Sequence, residues 1–529
     1  MKLKSTLLFL LCICFMPAIF SQSKAHSKHI HAAPDLTGKR SDTINVLHYT
    51  INLNITDFKT DTLRGNTVIQ FTPKMNNINS LSLDLLKFKI DSVIMNKSQP
   101  GYSYNDTLLI IQLPSTENTG DTSSVTIYYH GKPQIDASGW GGFYFAGGYA
   151  FNLGVGFTVI PHNYGRAWYP CFDNFIERAT YDFNITCSKT NTVFCNGYLA
   201  HDTIDTITSL RTRSWHMPDP IPSYEASVDV APYTQLNDIY YGADTIPILI
   251  AGLPADTANI RKSFVHLKNA ISIYQTAYGK YPWNKVGYSM VDFNGGAMEH
   301  PTNIAFPAVC ADGTINYEVN IMAHELSHHW CGDMVTCSTA EDMWLNEGYA
   351  TFNQYLFTEK MYGEAQYHAA VRTSHESVLH YCHIADRGYW PISGVPQAYT
   401  YGNLNFWEST TYKKGGDVIY TLRNYMGDSV FFKGMQYYFG SHRFEPVNAD
   451  TLKTSLEKSS GMNLTDFFTQ WVYAPGFPHF SIDSMTANGG GRLRRRVRKW
   501  SISAGSPSTP QPRVILASRS SSATRSTCT

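Results

Sequence analysis

Charge is what this sequence has little of. Asp, Glu, Lys and Arg make up 16% of its 529 residues and cancel to a net charge of zero, where soluble domains usually carry about 25%. Bulk electrostatics therefore points to no partner, and no nucleic acid is expected. Long apolar runs are also scarce. The one near the N-terminus, Leu7 to Phe20, is shorter than the ~20 residues a membrane span needs. With Lys2 and Lys4 before it and Ser21 after it, residues 1–21 read as a signal peptide cleaved near Ser21 or Gln22. The expectation is export, with no stable membrane anchor after cleavage and residues 22–41 as a linker. Regular cysteine spacing is missing too. Of ten cysteines, Cys12 and Cys14 fall in the signal segment, and the rest are too irregular for a disulfide framework or a zinc knuckle. Cys187 and Cys195, flanking a turn at Lys189 to Thr192, are the first pair to test. Finally, no Asp, Glu, Tyr or Phe follows Asp483. Residues 488–529 read as a basic Ser/Pro-rich tail, either disordered or out of frame relative to an ancestral domain.

What is present favours a large folded chain. Hydrophobic residues at 43%, with 34 Tyr and 28 Phe, exclude general disorder and favour sheet. The length implies two or three domains. Residues 42–234 alternate in short β-rich runs (VLHYTINLNI, NTVIQFTP, SVTIYYHG, TYDFNITC) separated by Asn, Asp, Gly and Thr turns, which predicts an all-β sandwich or saddle. From Asp256 the period becomes helical, with a first stop at Gly279 and Pro282. Further helices are expected at 317–331, 342–362, 410–426, 428–439, 450–459 and 463–474, with strands near 286–293 and 301–306. Residues 235–475 thus form a second, mainly helical domain, giving a multidomain α+β chain. PGFPHFSI (475–482) looks like a first strand, so 476–487 is a possible start of a C-terminal β-domain.

The chemistry concentrates in YEVNIMAHELSHHW, residues 317–330. On a helix His324 and His328 share a face and can converge on one Zn²⁺ at ~2.0–2.1 Å. Glu325 follows the first ligand and can act as general base on water. Val319, Met322, Ala323, Leu326 and Trp330 make an apolar stripe that leaves the imidazoles on a neighbouring strip. A third ligand, Glu347, follows His328 with eighteen residues between them, in DMWLNEGYATF. His₂Glu leaves one position open, as a catalytic zinc requires. Asp342 and Asn346 are candidates to orient the ligands, and Trp330 and Trp344 read as core.

These residues resemble the aminopeptidase N family of zinc metallopeptidases (peptidase family M1, thermolysin-like gluzincins). HELSHHWCGDMVT (324–336) and WLNEGYATF (344–352) are similar to the family's zinc signature, and GGAMEH (295–300) to its exopeptidase motif. YGRAWYPCFDN (164–174), PIPSYEASVDVAPY (220–233) and TTYKKGGDVIYTLR (410–423) also match, in the family's order, from about 42 to 482. The resemblance implies a saddle-shaped β-domain packed on a thermolysin-like catalytic domain and one Zn²⁺ per chain, acting on peptides or proteins with free N-termini. It makes Tyr412 the donor that steadies the tetrahedral oxyanion. It makes Glu299 the holder of the substrate's α-amine, with Gly296, Ala297, Met298 and His300 in the same substrate-binding segment.

Two departures bear on specificity. His300 stands where the family has Asn, and a protonated imidazole there would compete for Glu299. The family's second amine-binding residue falls near Val159 to Pro161, where no Gln or Glu occurs. Asn174-Phe175 also replaces the family's Glu-Pro, as a structural change. The preferred expectation is an aminopeptidase. An endopeptidase or broader hydrolase with relaxed amine recognition stays open, as does a non-catalytic or truncated member acting as a binding module.

Overall fold

The computed structural model describes residues 43–385, 390–487, 493–500 and 513–515. The signal segment and linker lie outside the described residues. The first half is β-structure, because alternating residues have a core to face. In Ile44–Asp57, the side chains of Tyr49, Ile51, Leu53 and Ile55 are buried. This strand lies at the centre of a seven-stranded sheet ordered Tyr198–Asp205, Leu210–Pro222, Arg178–Ser188, Ile44–Asp57, Thr62–Pro73, Ser123–Gly131, Lys89–Met95. The pairs are antiparallel except Ile44–Asp57 with Arg178–Ser188, which is parallel. A four-stranded sheet, Thr192–Cys195, Val228–Ala231, Tyr149–Leu153 and Gly142–Ala146, continues the β-domain towards the second half.

The hairpin Thr234–Tyr241/Thr245–Gly252 was not anticipated. It belongs to another sheet, adding two strands to Val286–Val291 and Ile304–Pro307. Helices fill the rest of the second half: Thr257–Ser263, Leu267–Tyr278, His324–His328, Glu347–Tyr362, Glu364–Ile384, Gly415–Met426, Asp428–Ser441, Ala449–Ser460 and Thr465–Trp471. Leu267–Tyr278 ends on Gly279 at φ +96°, the left-handed stop its sequence predicts. Glu364–Ile384 was missed because its stripe is thin: Tyr367, Val371, Val378 and Cys382 are buried among Ser, His and Glu. Among the described residues no helix is long and apolar enough to cross a membrane.

A polar seam joins the two halves. Asn196 Nδ2 donates to the Pro301 carbonyl (2.7 Å), Gly197 N–H to Thr302 Oγ1 (2.7 Å) and Asn303 Nδ2 to Asp229 Oδ2 (2.7 Å). Tyr233 reaches the Met290 carbonyl at 2.7 Å.

Two expectations change here. Cys187 and Cys195 are buried free thiols on different sheets, not a disulfide. Within the tail, Leu493–Trp500 forms a strand antiparallel to His479–Ala487, and Arg513–Ile515 adds a third. Residues 488–492, 501–512 and 516–529 lie outside the described residues.

Candidate metal centre

The helix expected at 317–331 opens as a π-helical turn, Glu318–Ala323, in which Met322 N–H bonds back to the Tyr317 carbonyl at 3.1 Å. It tightens into the α-turn His324–His328. Such turns recur at functional sites because the extra residue re-aims the following side chains. Met322, Ala323, Leu326 and Trp330 are buried as the stripe predicts. The helix Glu347–Tyr362 then starts with Glu347 facing the two histidines.

His324 Nε2 and His328 Nε2 lie 3.2 Å apart, and each is 3.4 Å from Glu347 Oε2. Donors held at ~2.0–2.1 Å around a tetrahedral ion are about 3.3–3.4 Å apart, so the triangle has the size zinc requires. Glu347 Oε2 is also a buried oxygen without a hydrogen-bond donor. The residues therefore fit a zinc ion. Glu299 and Glu325 each bring an oxygen within 4.8 Å of a His328 ring nitrogen and of each other. Tyr412, half-buried on the π-helical segment Trp407–Lys414, lays its ring parallel to His324 with centroids 6.0 Å apart. All the residues proposed as ligands, base, donor and amine holder thus converge.

Three buried carboxyls and two imidazoles shift one another strongly here. Burial, together with Glu299 and Glu347, pushes the Glu325 carboxyl well above its ordinary range. Burial and Glu347 also raise Glu299. Burial would raise Glu347 too, but the His328 and His324 imidazoles pull it down to about 2. For His328, burial acts to depress the imidazole, and Glu347 and Glu299 outweigh it, holding it up at about 10. Tyr412 is raised by burial and then by Glu347. A dication among the ligands and an ammonium at Glu299 would balance three carboxylates.

The remaining substrate-segment residues divide. Met298 exchanges two backbone hydrogen bonds with Ala305, at 3.0 Å each, and so docks the segment on the sheet edge. Gly296 and Ala297 remain half-exposed beyond it. Trp140 of the β-domain donates its indole N–H to the Gly295 carbonyl (3.0 Å), and a Cβ on Gly296 would come 3.3 Å from that nitrogen. His300 corrects an expectation. Its side chain is fully buried beside Asn152, 3.5 Å away, and burial lowers its pKa to about 3. A neutral ring facing the β-domain neither competes for Glu299 nor offers substrate a side chain.

Asp342 and Asn346 do not touch the ligands. Asp342 accepts from Ser393 (2.5 Å) and Ala449 N–H (3.3 Å), and Asn346 accepts from Cys337 N–H (3.1 Å). The groups that do hold the imidazoles were missed. His328 Nδ1 is 3.1 Å from the Cys331 carbonyl, and His324 Nδ1 is 3.0 Å from the Gln354 amide. Gln354 lies seven residues after Glu347, two turns along the same helix face, and that spacing was the available signal. Glu225 was also missed. It is completely buried, its carboxyl raised by burial against the pull of Arg178 and further raised by Glu299.

Comparison with known proteins agrees with this geometry. The Peptidase family M1 domain matches residues 263–471, and the Peptidase M1 N-terminal domain matches 45–224. Leucine aminopeptidase 2 of Emericella nidulans is 28% identical over 381 residues, covering 68% of this chain and 58% of that protein. Glutamyl aminopeptidase of Bos taurus is 25% identical, covering 60% and 34%. The chain spans about half the length of the curated relatives it matches. Among solved structures, an alanine variant of an M1 zinc metallopeptidase from Deinococcus radiodurans, bound to a Tyr-Ser-Ala substrate, superposes with a TM-score of 0.71 at 21% identity, covering 83% of this chain and 96% of that one. Leukotriene A4 hydrolase from Saccharomyces cerevisiae gives 0.68 at 17%, covering 83% and 69%.

Proposed function

The chain belongs to peptidase family M1, and from that premise we propose that it is a zinc-dependent aminopeptidase that removes N-terminal residues from peptides. The observation that carries this reading is the position of Glu299, a buried carboxylate beside both Glu325 and the ligand His328. His324, His328 and Glu347 would hold the zinc, which supplies Lewis acidity towards a carbonyl and lowers the pKa of water. Glu325, held beside the ligand His328, takes the proton from attacking water and delivers it to the departing amine. Tyr412 donates a hydrogen bond to the carbonyl oxygen as negative charge develops on it. Glu299 accepts from the substrate's α-ammonium and fixes which bond lies over the base. The half-exposed Gly296–Ala297 stretch lets an extended backbone approach.

The test is to compare a free-amine peptide with its N-acetylated form. Strong preference for the free amine is expected, and equal cleavage would overturn the aminopeptidase reading while leaving a zinc peptidase. One observation favours that second reading, an endopeptidase or broader hydrolase. Val159, Ile160 and Pro161 offer no polar side chain to share the ammonium with Glu299. Export through residues 1–21 belongs to the same proposal, and N-terminal sequencing of protein recovered outside the producing cell checks it.

A further inference from the structure

We infer that Gln354 is a positioning residue for the metal ligand His324, and that its amide, unlike a carboxylate, leaves this ligand adaptable until metal arrives. The inference rests on the reading of His324, His328 and Glu347 as ligands. His324 Nε2 points at His328 and Glu347, so a bound metal takes its lone pair there and the ring proton must sit on Nδ1. That N–H needs an acceptor, because ligand imidazoles are oriented by what their second nitrogen bonds. The group within reach is the Gln354 amide, whose Nε2 stands 3.0 Å from Nδ1 and 3.3 Å from the Asn320 carbonyl.

In that orientation the amide nitrogen donates to Nδ1, which suits the tautomer with its proton on Nε2, the one that cannot bind metal. Turning the amide half a revolution presents Oε1 to Nδ1–H and gives up the bond to Asn320. Gln354 therefore serves either tautomer, and the metal-binding one takes Oε1 as its partner. His328 is held differently. Its Nδ1 faces the Cys331 carbonyl at 3.1 Å, which can only accept, so a proton stays on Nδ1 and Nε2 is always the nitrogen offered to the metal. Tyr412 lies parallel to the His324 ring, its centroid 6.0 Å away, on a face that either tautomer presents. A carboxylate at 354 would accept only. It would preset His324 as the Cys331 carbonyl presets His328, and its charge would make the ring a better donor.

Zinc dissociation constants of the metal-free full-length chain, measured by competition with a fluorescent chelator, test this for wild type, Gln354→Glu and Gln354→Met. The Met variant should bind about 10–100-fold more weakly, and the Glu variant several-fold more tightly than wild type. A Met variant within twofold of wild type, or a Glu variant no tighter than wild type, overturns the inference. A role confined to packing would not move the two variants in opposite directions. Melting of the metal-free proteins checks the fold. If the Met variant does not fold, the Glu variant decides alone: tighter binding upholds the inference and equal or weaker binding overturns it. A wild type that takes up no zinc would instead sink the ligand assignment itself.

Discussion

Three buried carboxylates around one imidazole are an unstable arrangement unless each has a different task. Glu347 is drawn to the acidic side by two histidines, whereas Glu325 and Glu299 are pushed towards their protonated forms. The division predicts separable failures. Glu325→Gln should keep stoichiometric zinc by metal analysis and lose about 10²–10⁴ in kcat; retained turnover would refute its role as base. Tyr412→Phe should cost about 10²–10³ in kcat with KM little changed, and a pure rise in KM would mean that the hydroxyl binds substrate rather than the developing charge. Glu299→Ala should erode the advantage of free-amine over N-acetylated peptide, and an unchanged ratio would count against it as amine holder. At this scale, residues that act through fixed spacing were legible: His324, Glu325, His328 and Glu347 are set by a helix repeat and one return. What depends on burial was not. His300 looked like a charge beside Glu299 because a sequence does not reveal that its ring turns into the domain junction, and Gln354 looked like one more polar residue on a helix.

The site exists because two helices come unusually close. Gly348, next to the ligand Glu347, meets Gly415, just after the segment carrying Tyr412. A Cβ on Gly415 would lie 2.9 Å from Gly348 Cα, and one on Gly348 would lie 2.8 Å from Gly415 Cα. Glycine in a helix costs up to about 1 kcal/mol relative to alanine, so this contact is kept for the approach it allows. Gly415→Ala should recover that ~1 kcal/mol yet suffer about 1–3 kcal/mol of overpacking against backbone that has nowhere to move. Net destabilisation in urea titration is therefore expected, with weaker zinc binding as Gly348 carries its neighbour Glu347 away from the two histidines. Gly440, whose Cβ would meet nothing within 4 Å, supplies the control. Its alanine variant should be neutral or more stable, and equal effects at the two positions would argue against the close-approach account. Most helices were legible from period and stop signals. The π-turns before His324 and at Tyr412 were not, because they depend on how the following turn is packed rather than on any residue type. The hairpin from Thr234 escaped notice because its strand Thr234–Tyr241 is largely exposed, so little in it announces a second sheet.

At the scale of the whole molecule, the polar seam fastens the β-domain to the catalytic domain, and Asp229 is the most telling part of it. Its carboxyl is completely buried in Val228–Ala231. The groups facing it are Ser289 from the catalytic sheet, Asn303 just before that sheet's strand Ile304–Pro307, and Ser227 just before its own strand, with the Cys195 thiol and Tyr233 nearby. No cation is among the groups that set its pKa. Burial therefore dominates, and the hydrogen bonds offset only part of it, leaving the pKa raised to about 8. The sign follows from linkage. Between the unfolded value near 4 and the folded value near 8, the unfolded chain releases a proton that the folded chain retains. The stability this group contributes is thus fully present below about pH 4 and is lost as pH rises towards 8, by at most one proton or about 1.4 kcal/mol per pH unit. Asp229→Asn can still accept from Asn303 but carries no titrating proton. Relative to wild type, its melting temperature should improve steadily from pH 5 to pH 8. The same difference at both ends would mean that Asp229 is already ionised in the seam at pH 5.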